Sequence, residues 1–277
     1  MNTEIKTPSK SKTALVLGSI KGIGKTIALA LAKQGIQVAA TYYDWEESLP
    51  EMKKDFSSIT TPHLITKVNL LDIEAIKQLI KKVQSHYGGI DILINNIERG
   101  GWPLVHGEYI QEQWDMEVAT TLRAKRWVFS ESLPLLKASG DGVVINMSSI
   151  SGLIGRAGPA APFFNDAYSA INRGISLLTE TWAREAAPEV RVNELMIGFV
   201  ETRHGPQTRG WKHLKSREIK ALLDHTLLKR VGTISDVVEA VLFLVNQAKF
   251  MTGSVIRLDG GYIIGGEKVP PMPEGIL

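Results

Sequence analysis

A glycine-rich segment near the start of the chain has the spacing of a phosphate-binding turn. Gly18, Gly22 and Gly24 follow the apolar run 14–17, and a segment with helical periodicity comes after them. Glycine lets the backbone turn tightly and approach a pyrophosphate, whose charge then lies near amide groups at a helix N-terminus. A glycine triplet alone is a weak signal, because a simple turn before a helix looks the same. The preceding strand and the following helix favour a dinucleotide site.

The similarity extends well beyond this turn. From Gly18-Ser19-Ile20-Lys21-Gly22-Ile23-Gly24 to Leu258-Asp259-Gly260-Gly261 the chain resembles the classical short-chain dehydrogenase/reductase family, and within it the 3-oxoacyl thioester (acyl carrier protein) reductases. Sugar and steroid reductases are the next most similar groups. The resemblance implies a Rossmann fold, a nicotinamide cofactor and hydride transfer between a ketone and an alcohol.

The resemblance also implies a catalytic set. In the family a Ser binds the substrate carbonyl, a Tyr exchanges its proton, and a Lys one helical turn later holds the nicotinamide ribose and lowers the Tyr pKa. Here the Ser matches Ser149, with Ser148 as its neighbour, and the Tyr matches Tyr168. Positions i and i+4 share one helix face, which gives the Tyr-to-Lys spacing a physical reason. Asn172 occupies the place of the Lys.

Asn172 is neutral and cannot replace the missing cation. An ammonium about 5 Å from a phenolate contributes about 3 kcal/mol at an effective dielectric near 20, or roughly two pKa units. We therefore expect Tyr168 to stay protonated to high pH. No lysine lies between Lys137 and Lys212, and Arg173 is about 140° around the helix from Tyr168. The amide of Asn172 could still bind a ribose hydroxyl.

Two further positions depart from the family pattern. Thr121 stands where an Asn usually supports a proton-relay water. Glu98 replaces the glycine of the family's Asn-Asn-Ala-Gly segment, where it could pair with Arg99 or narrow the site. The gap between Ser149 and Tyr168 is also longer than usual, by about six residues.

The cofactor prediction is NADP, with NAD as the less favoured alternative. An acidic residue at the end of the second strand would bind the ribose hydroxyls and repel a 2′-phosphate, but Tyr42 stands there. Lys21 matches a basic residue that NADP-dependent members often carry between the first two glycines, where it can meet the 2′-phosphate; the alternative interpretation is a solvated loop cation. The predicted cofactor-binding residues are Gly18, Ser19, Lys21, Gly22, Ile23, Gly24, Tyr42, Tyr43, Asn69, Leu70, Asn95, Ile97, Tyr168, Asn172, Gly198, Val200 and Thr202; those predicted to be catalytic are Ser149, Tyr168, Asn172 and Thr121.

Two functions are consistent with these residues. One is an NADP-dependent oxidoreductase acting on a ketone or alcohol, with a 3-oxoacyl thioester among the candidate substrates. The other is a dinucleotide-binding protein with little or no activity that serves as a sensor or structural subunit. Retention of Ser149 and Tyr168 favours the first function, whereas Asn172, Thr121 and Glu98 favour the second. Aromatic and proline residues that could line an apolar pocket are Trp102, Pro103, Trp114, Phe163, Phe164 and Trp211.

The order of elements needed to position these residues can be predicted. Short apolar runs alternate with segments of helical period, which indicates an α/β fold with a doubly wound, seven-stranded parallel sheet and helices on both faces. We expect one Rossmann domain over residues 13–264, with a lid at 199–228 that contains a helix at 216–223, and a loop at 152–167. Residues 1–12 are expected to form a mobile tail and 265–277 an extension. The predicted strands are 14–17, 38–41, 64–68, 92–95, 143–146, 190–195 and 255–258.

Composition excludes several classes of protein. The 277 residues carry a net charge of +3, too small for a nucleic-acid or membrane-binding face. There is no cysteine, and the His and acidic residues lack zinc-ligand spacing. No apolar run reaches the roughly 20 residues of a spanning helix and no signal peptide is recognised, so a cytoplasmic protein is expected. The family resemblance adds a small-molecule substrate and a homodimer or homotetramer formed through helices near 113–138 and 166–186.

Overall fold

The computed structural model describes residues 11–98, 110–202 and 214–275. Seven parallel strands form one sheet in the order β3-β2-β1-β4-β5-β6-β7. The order of strands reverses between β1 and β4, which makes the carboxyl ends of these two strands the switch point where ligands bind in open α/β sheets. The strands are β1 Thr13–Val16, β2 Gln37–Tyr42, β3 His63–Lys67, β4 Ile92–Asn95, β5 Gly142–Ser149, β6 Val190–Ile197 and β7 Val255–Leu258.

Helices connect the strands. They are α1 Gly22–Lys33, α2 Leu49–Phe56, α3 Ile73–Tyr87, α4 Gln111–Glu117, α5 Ala124–Ala138, α6 Ser151–Ile154, α7 Asp166–Ala186, α8 Ser216–His225 and α9 Ile234–Asn246. Between α4 and α5, Val118–Arg123 forms a π-helical segment, a local widening of the helix that often occurs at functional sites.

The sheet separates two hydrophobic cores. Successive residues of a strand point to opposite faces, so Val16 packs with α1 and α9 whereas Leu15 packs with α3, α5 and α7. On the second face the rings of Phe129 and Trp182 stack with their centroids 4.5 Å apart. The second core packs α5 and α7 against β5, and β5 and α7 carry Ser149, Tyr168 and Asn172.

Side chains cap the helices that matter most for the site. Asn165 accepts a hydrogen bond from the Tyr168 amide at 2.7 Å and thereby starts α7 just before Tyr168. At α9 the hydroxyl of Thr233 accepts from the Asp236 amide, and Asp236 accepts from the Thr233 amide, which completes a capping box.

The predicted architecture is confirmed, with corrections in two segments. All seven strands are present, and none of their ends lies more than three residues from the predicted position. The predicted loop at 152–167 is wrong in detail, because it holds most of α6 and the 3-10 helix Gly158–Phe163, and α7 begins at Asp166. The helix expected near 113–138 is interrupted by the π-helical segment. The ends of the chain, residues 1–10 and 276–277, and the segments 99–109 and 203–213 fall outside the described residues.

Candidate active site

The predicted site residues lie at one edge of the sheet. The loops that follow β1, β2, β4, β5 and β6 all leave the carboxyl ends of parallel strands. The glycine turn follows β1, Glu98 follows β4, and Ser149 ends β5. These three segments are neighbours because β1, β4 and β5 are adjacent in the sheet.

The turn after β1 requires glycine at the predicted places. Gly18 and Gly22 have φ of +62° and +57°, a left-handed conformation that side chains rarely adopt. A Cβ on Gly18 would lie 2.3 Å from the carbonyl oxygen of Asn96, and one on Gly24 would lie 2.2 Å from that of Gly18. By contrast, a Cβ on Gly22 would meet nothing within 4 Å, so the outer side of the turn is open.

The first turn of α1 suits an anion. It carries no acidic residue, and no side chain caps it, so its amide groups have no partner from a capping side chain. Together with the open face at Gly22, this fits a cofactor pyrophosphate. Ser19 acts differently, because it is fully buried and its hydroxyl donates to the Val16 carbonyl at 2.6 Å, which stabilises the turn itself.

Aromatic and cationic side chains lie at the end of β2. The Nζ of Lys21 lies 2.9 Å from the centroid of the Trp45 ring, a cation–π contact that holds Lys21 beside the residues following β2. Tyr42 is partly buried, whereas Tyr43 is 49% exposed and has Lys67 5.7 Å from its ring centroid. Lys21 and Lys67 therefore lie near the position where the sequence predicted the adenosine ribose.

The other predicted cofactor residues divide into two groups. The side chain of Asn95 is fully buried and donates to Asn146 Oδ1 at 2.8 Å, so it serves the interior of the sheet and only its backbone could face a cofactor. Val200 is likewise buried and pairs with Gly232. Residues with partly exposed side chains or glycine at this edge are Ile23, Asn69, Leu70, Ile97, Gly198 and Thr202. The cofactor contacts of both groups remain predictions.

Ser149 and Tyr168 meet through their hydroxyl groups. The two side chains are 5% and 3% exposed and hydrogen bonded to each other. The hydroxyl of Ser148 turns away and donates to Glu194. Tyr168 is thus paired with Ser149 and not with Ser148, while the catalytic roles of Ser149 and Tyr168 stay predictions.

Tyr168 has a strongly perturbed hydroxyl. Burial raises the pKa of Tyr168 well above that of an ordinary tyrosine, and the charge of Glu98 raises it further, while the hydrogen bond from Ser149 acts in the opposite direction. The hydroxyl also donates to Glu98 Oε2 at 3.0 Å. The Tyr168 side chain is consequently a neutral proton donor at neutral pH. Of the two roles considered for Glu98, pairing with Arg99 involves a residue outside the described range; the observed partner is Tyr168.

Asn172 is a structural link between β5 and α7. Its side chain is fully buried, Oδ1 accepts from the Ser149 amide at 2.9 Å, and Nδ2 donates to the Tyr168 carbonyl at 2.9 Å. Both ends of the amide therefore bind backbone. The contact of Asn172 with a ribose hydroxyl remains a prediction.

Thr121 lies in the π-helical segment and points inward. It is fully buried, and its hydroxyl donates to Glu117 Oε1 at 2.9 Å. Its predicted role of holding a relay water stays a prediction. The structure instead shows Thr121 fixing a buried carboxylate.

Sequence reasoning missed a buried lysine beside the site. Lys125 is 1% exposed, and its Nζ donates to the Met147 carbonyl at 2.6 Å, two residues before Ser149. Burial lowers the pKa of Lys125 to about 8, against the opposing charges of Glu98, Glu194 and Glu117. A signal was present in the sequence, since Lys125 precedes Val128 and Phe129 by one helical turn and so lies on the apolar stripe of α5.

Aromatic residues pack around Tyr168. Phe164 stacks on Tyr168 with centroids 5.9 Å apart, and Phe163 packs edge-on against Phe199 at 5.0 Å. Phe163 and Phe164 are each 3% exposed, so they form the buried wall behind Tyr168. Trp114 is 41% exposed, and Trp102, Pro103 and Trp211 lie outside the described residues.

Within the described ranges no cluster of His and acidic side chains could hold a metal ion. In the same residues no helix combines the length and the apolar character needed to cross a bilayer.

Fold and site together define the class of protein. Residues 18–263 match a family model described as enoyl-(acyl carrier protein) reductase, and the chain belongs to the short-chain dehydrogenase/reductase family. It is similar to a 3-oxoacyl-[acyl-carrier-protein] reductase of Staphylococcus aureus (30% identical over 256 residues, 91% of this chain and 98% of the relative). The corresponding reductase of Thermotoga maritima is 31% identical over 262 residues, covering 92% of this chain and 99% of the relative.

The fold is also similar to that of solved structures. A short-chain dehydrogenase/reductase of the glucose/ribitol dehydrogenase kind from Brucella melitensis superposes with a TM-score of 0.75 at 22% identity, covering 91% of this chain and 96% of the other. At this identity the likeness concerns the fold.

Proposed function

We propose that this protein is an NADP(H)-dependent oxidoreductase that interconverts a ketone and an alcohol, with 3-oxoacyl thioesters as the first substrate class to test. The observation that carries the proposal is the hydrogen-bonded pair of Ser149 and Tyr168 at the carboxyl edge of the sheet, beside the glycine turn. The names of the relatives from Staphylococcus aureus and Thermotoga maritima support the substrate class.

The chain's own residues supply binding and proton transfer. When bound, the nicotinamide cofactor supplies or accepts the hydride. Ser149 donates a hydrogen bond to the substrate oxygen and so orients the carbonyl. Tyr168, held neutral by its raised pKa, donates its proton to that oxygen during reduction. The buried aromatic wall behind Tyr168 excludes water from the proton path.

The glycine turn and α1 would hold the pyrophosphate, as the open face at Gly22 and the absence of acidic residues in the first turn of α1 support. Lys21, positioned by Trp45, would meet a 2′-phosphate, and Tyr42 leaves the end of β2 without an acidic side chain. These features favour NADP over NAD.

The test is a titration of the protein with NADPH and NADH, followed by turnover assays. NADPH should bind at least tenfold more tightly, a difference of about 1.4 kcal/mol. Lys21→Met should reduce this ratio, whereas Lys53→Met, which removes an exposed lysine from α2, should not. Equal affinity for the two cofactors would contradict the role given to Lys21.

Turnover is then measured with a panel of ketones that includes a 3-oxoacyl thioester. Reduction of at least one member is expected. If NADPH binds and the whole panel is inert, the chain is a dinucleotide-binding protein and the proposed reaction is wrong.

A further inference from the structure

Charged side chains that the family's catalytic set does not contain form a cluster next to Tyr168. At its centre is Lys125, the only buried lysine among the described residues. The charges of three carboxylates act on Lys125: those of Glu117 on α4 and Glu194 on β6, which are buried, and that of Glu98 after β4, which is partly exposed. The cluster therefore lies between the strand ends that form the site and the helices that cover them.

Glu98 is the member of this cluster that touches a reacting atom. Its Oε2 accepts a hydrogen bond from the Tyr168 hydroxyl at 3.0 Å. The same carboxylate attracts the ammonium of Lys125. Lys125 in turn is anchored by the Met147 carbonyl, on the strand that carries Ser149. Glu98 is thus hydrogen bonded to Tyr168, and the charge of Lys125 acts on the same carboxylate.

We propose that Glu98 and Lys125 together replace the lysine that is missing at position 172: Glu98 exchanges a proton with Tyr168, and Lys125 holds the Glu98 carboxylate in place. Glu98 is then a catalytic residue and Lys125 a positioning residue. This inference rests on the proposed ketone–alcohol reaction and explains how the site can work without a cation on α7.

The proton steps balance in both directions. In oxidation the carbon-bound hydrogen of the alcohol leaves with its electron pair as hydride to the oxidised nicotinamide. The alcohol O–H proton passes to Tyr168 Oη as Tyr168 passes its own proton to Glu98 Oε2. In reduction Glu98, which is partly exposed, first takes a proton from solvent; the Tyr168 proton then goes to the substrate oxygen and the Glu98 carboxyl group reprotonates Tyr168. In oxidation Glu98 returns the proton that it has accepted to solvent. Tyr168 therefore never has to exist as a free phenolate.

Burial lowers the pKa of Lys125, and the charges of Glu98, Glu194 and Glu117 act in the opposite direction, so the titration of Lys125 reports on these carboxylates. Each packed element contributes groups that must be considered in a pH experiment. The titratable and charged groups around the pair are Glu117 on α4, Tyr168 and Arg173 on α7, and Glu194 on β6.

The first experiment uses the protein without cofactor and measures unfolding in urea from pH 7 to 11. The folded pKa of Lys125, about 8, is below the reference value of 10.5, so the folded state releases the proton first. The contribution of Lys125 to the free energy of unfolding is therefore lowest below pH 8, and it increases with pH up to about 10.5. Relative to Lys125→Met, the unfolding constant of the wild type should fall by up to about tenfold per pH unit in this window.

Glu98→Gln should move the pH window, that is, the pH range over which the stability rises, to lower pH. It removes an attractive charge, so Lys125 should lose its proton at a lower pH and the rise in stability should begin earlier. A wild-type curve parallel to that of Lys125→Met, or a window that Glu98→Gln leaves in place, would overturn the pairing of Lys125 with Glu98. Lys137→Met, a partly exposed position near the end of α5, serves as the matched control and should leave the window in place.

The second experiment is the pH profile of alcohol oxidation. If Glu98 accepts the proton of Tyr168, Glu98→Gln should lower oxidation near neutral pH by about 100-fold and shift the rising limb to higher pH. If Glu98 acts only as a charge that keeps Tyr168 protonated, its removal lowers the Tyr168 pKa and oxidation rises instead. The two roles thus predict opposite signs.

Two variants complete the test. Glu98→Asp, which keeps a carboxylate, should restore part of the oxidation rate. Glu194→Gln is the control: it also removes a carboxylate charge that acts on Lys125, but this side chain is bound to Ser148 and Ser176 and not to Tyr168. The rate of alcohol oxidation at neutral pH should therefore change by less than about threefold. Two outcomes separate this inference from the proposed function. If Glu98→Gln oxidises the alcohol faster than the wild type at neutral pH, the inference is wrong and the proposed function stands. If the wild type is inert but Glu98→Gln still moves the pH window of stability, the proposed function and the catalytic role of Glu98 are wrong, whereas the interaction between the charges of Lys125 and Glu98 is upheld.

Discussion

Asn172 accepts a hydrogen bond from the amide of Ser149 and donates one to the carbonyl of Tyr168, so one neutral side chain links the backbone of β5 to that of α7 beside the two hydroxyl groups. This role differs from that of a lysine at the same place. The local geometry of the pair is retained by a group that carries no charge.

Replacement of Asn172 by lysine should therefore destabilise the fold. Asn172→Lys leaves the Ser149 amide without its acceptor in a buried position, which costs about 1–3 kcal/mol. The free energy of unfolding in urea at pH 7 measures this loss. Asn172→Leu removes the same acceptor without adding charge, and the difference between the two variants gives the cost of the buried ammonium. Wild-type stability of Asn172→Lys would show that the amide link is dispensable.

Tyr168 should be essential for turnover. Tyr168→Phe removes the proton donor, and the rate of ketone reduction should fall by about 100-fold or more. Its effect on the fold should be small, because the ring and its stacking on Phe164 are retained. Cofactor affinity, measured alongside, separates loss of chemistry from loss of binding. An unchanged rate in Tyr168→Phe would remove Tyr168 from the mechanism.

The sequence could predict Ser149, Tyr168 and Asn172 because they follow one another along β5 and α7 at fixed spacings. It could not predict Lys125 as a neighbour of the site, since a search for a substitute cation along α7 does not reach the neighbouring helix α5. Only the packing of α5 onto the sheet brings Lys125 beneath the Met147 carbonyl.

At the scale of single elements, the ion pair between Arg230 and Asp236 at the start of helix α9 should make the stability of the fold depend on pH. The hydrogen bonds and charge of Arg230 and the amide of Thr233 lower the pKa of Asp236 to about 2. Because the folded pKa is below the unfolded value of 3.8, the stabilisation is complete above about pH 4 and is lost as the pH falls toward 2.

Asp236→Asn should accordingly cost about 0.5–1 kcal/mol at neutral pH, a modest value because the side chain is partly exposed. The difference in unfolding free energy between wild type and variant should shrink as the pH is lowered from 5 toward 2. Glu239→Gln, on the exposed side of the same helix, is the control. A difference that stays constant over this pH range would mean that the charge of Asp236 contributes nothing.

Strands were predicted more accurately than the segments between β5 and α7. A buried parallel strand is a run of apolar residues with polar neighbours, a pattern that leaves little choice of position. The segment 152–167 contains several glycines and prolines, which indicate a loop, but tertiary packing forms α6 against α7. Gly152 permits this contact, since a Cβ there would lie 2.8 Å from the Arg173 amide nitrogen.

For the whole molecule, exposed apolar side chains lie on both helices where the sequence predicted an interface between subunits. Trp127 on α5 is 38% exposed and Leu177 on α7 is 66% exposed. Isolated apolar residues are common on protein surfaces, but these two lie on the two helices through which the sequence predicts association. We expect a homodimer or homotetramer with two-fold symmetry.

Light scattering at micromolar concentration should give a mass of two or four chains. Leu177→Glu places a charge at each copy of a two-fold interface and should lower the mass toward one chain. Leu228→Glu changes a similarly exposed residue, 63% accessible, outside both helices and should leave the mass unchanged. A wild type that is already monomeric would contradict the predicted assembly.

The amide link made by Asn172 also has a genetic consequence. An asparagine codon becomes a lysine codon through a change of its third base alone, so mutation offers the family's residue to this chain often. What opposes it is physical: the new side chain would break the amide link to the Ser149 backbone and add a second cation to an interior that already holds Lys125. A lysine at position 172 should therefore be accommodated more easily where position 125 is uncharged, and this constraint is set by the fold rather than by the genetic code.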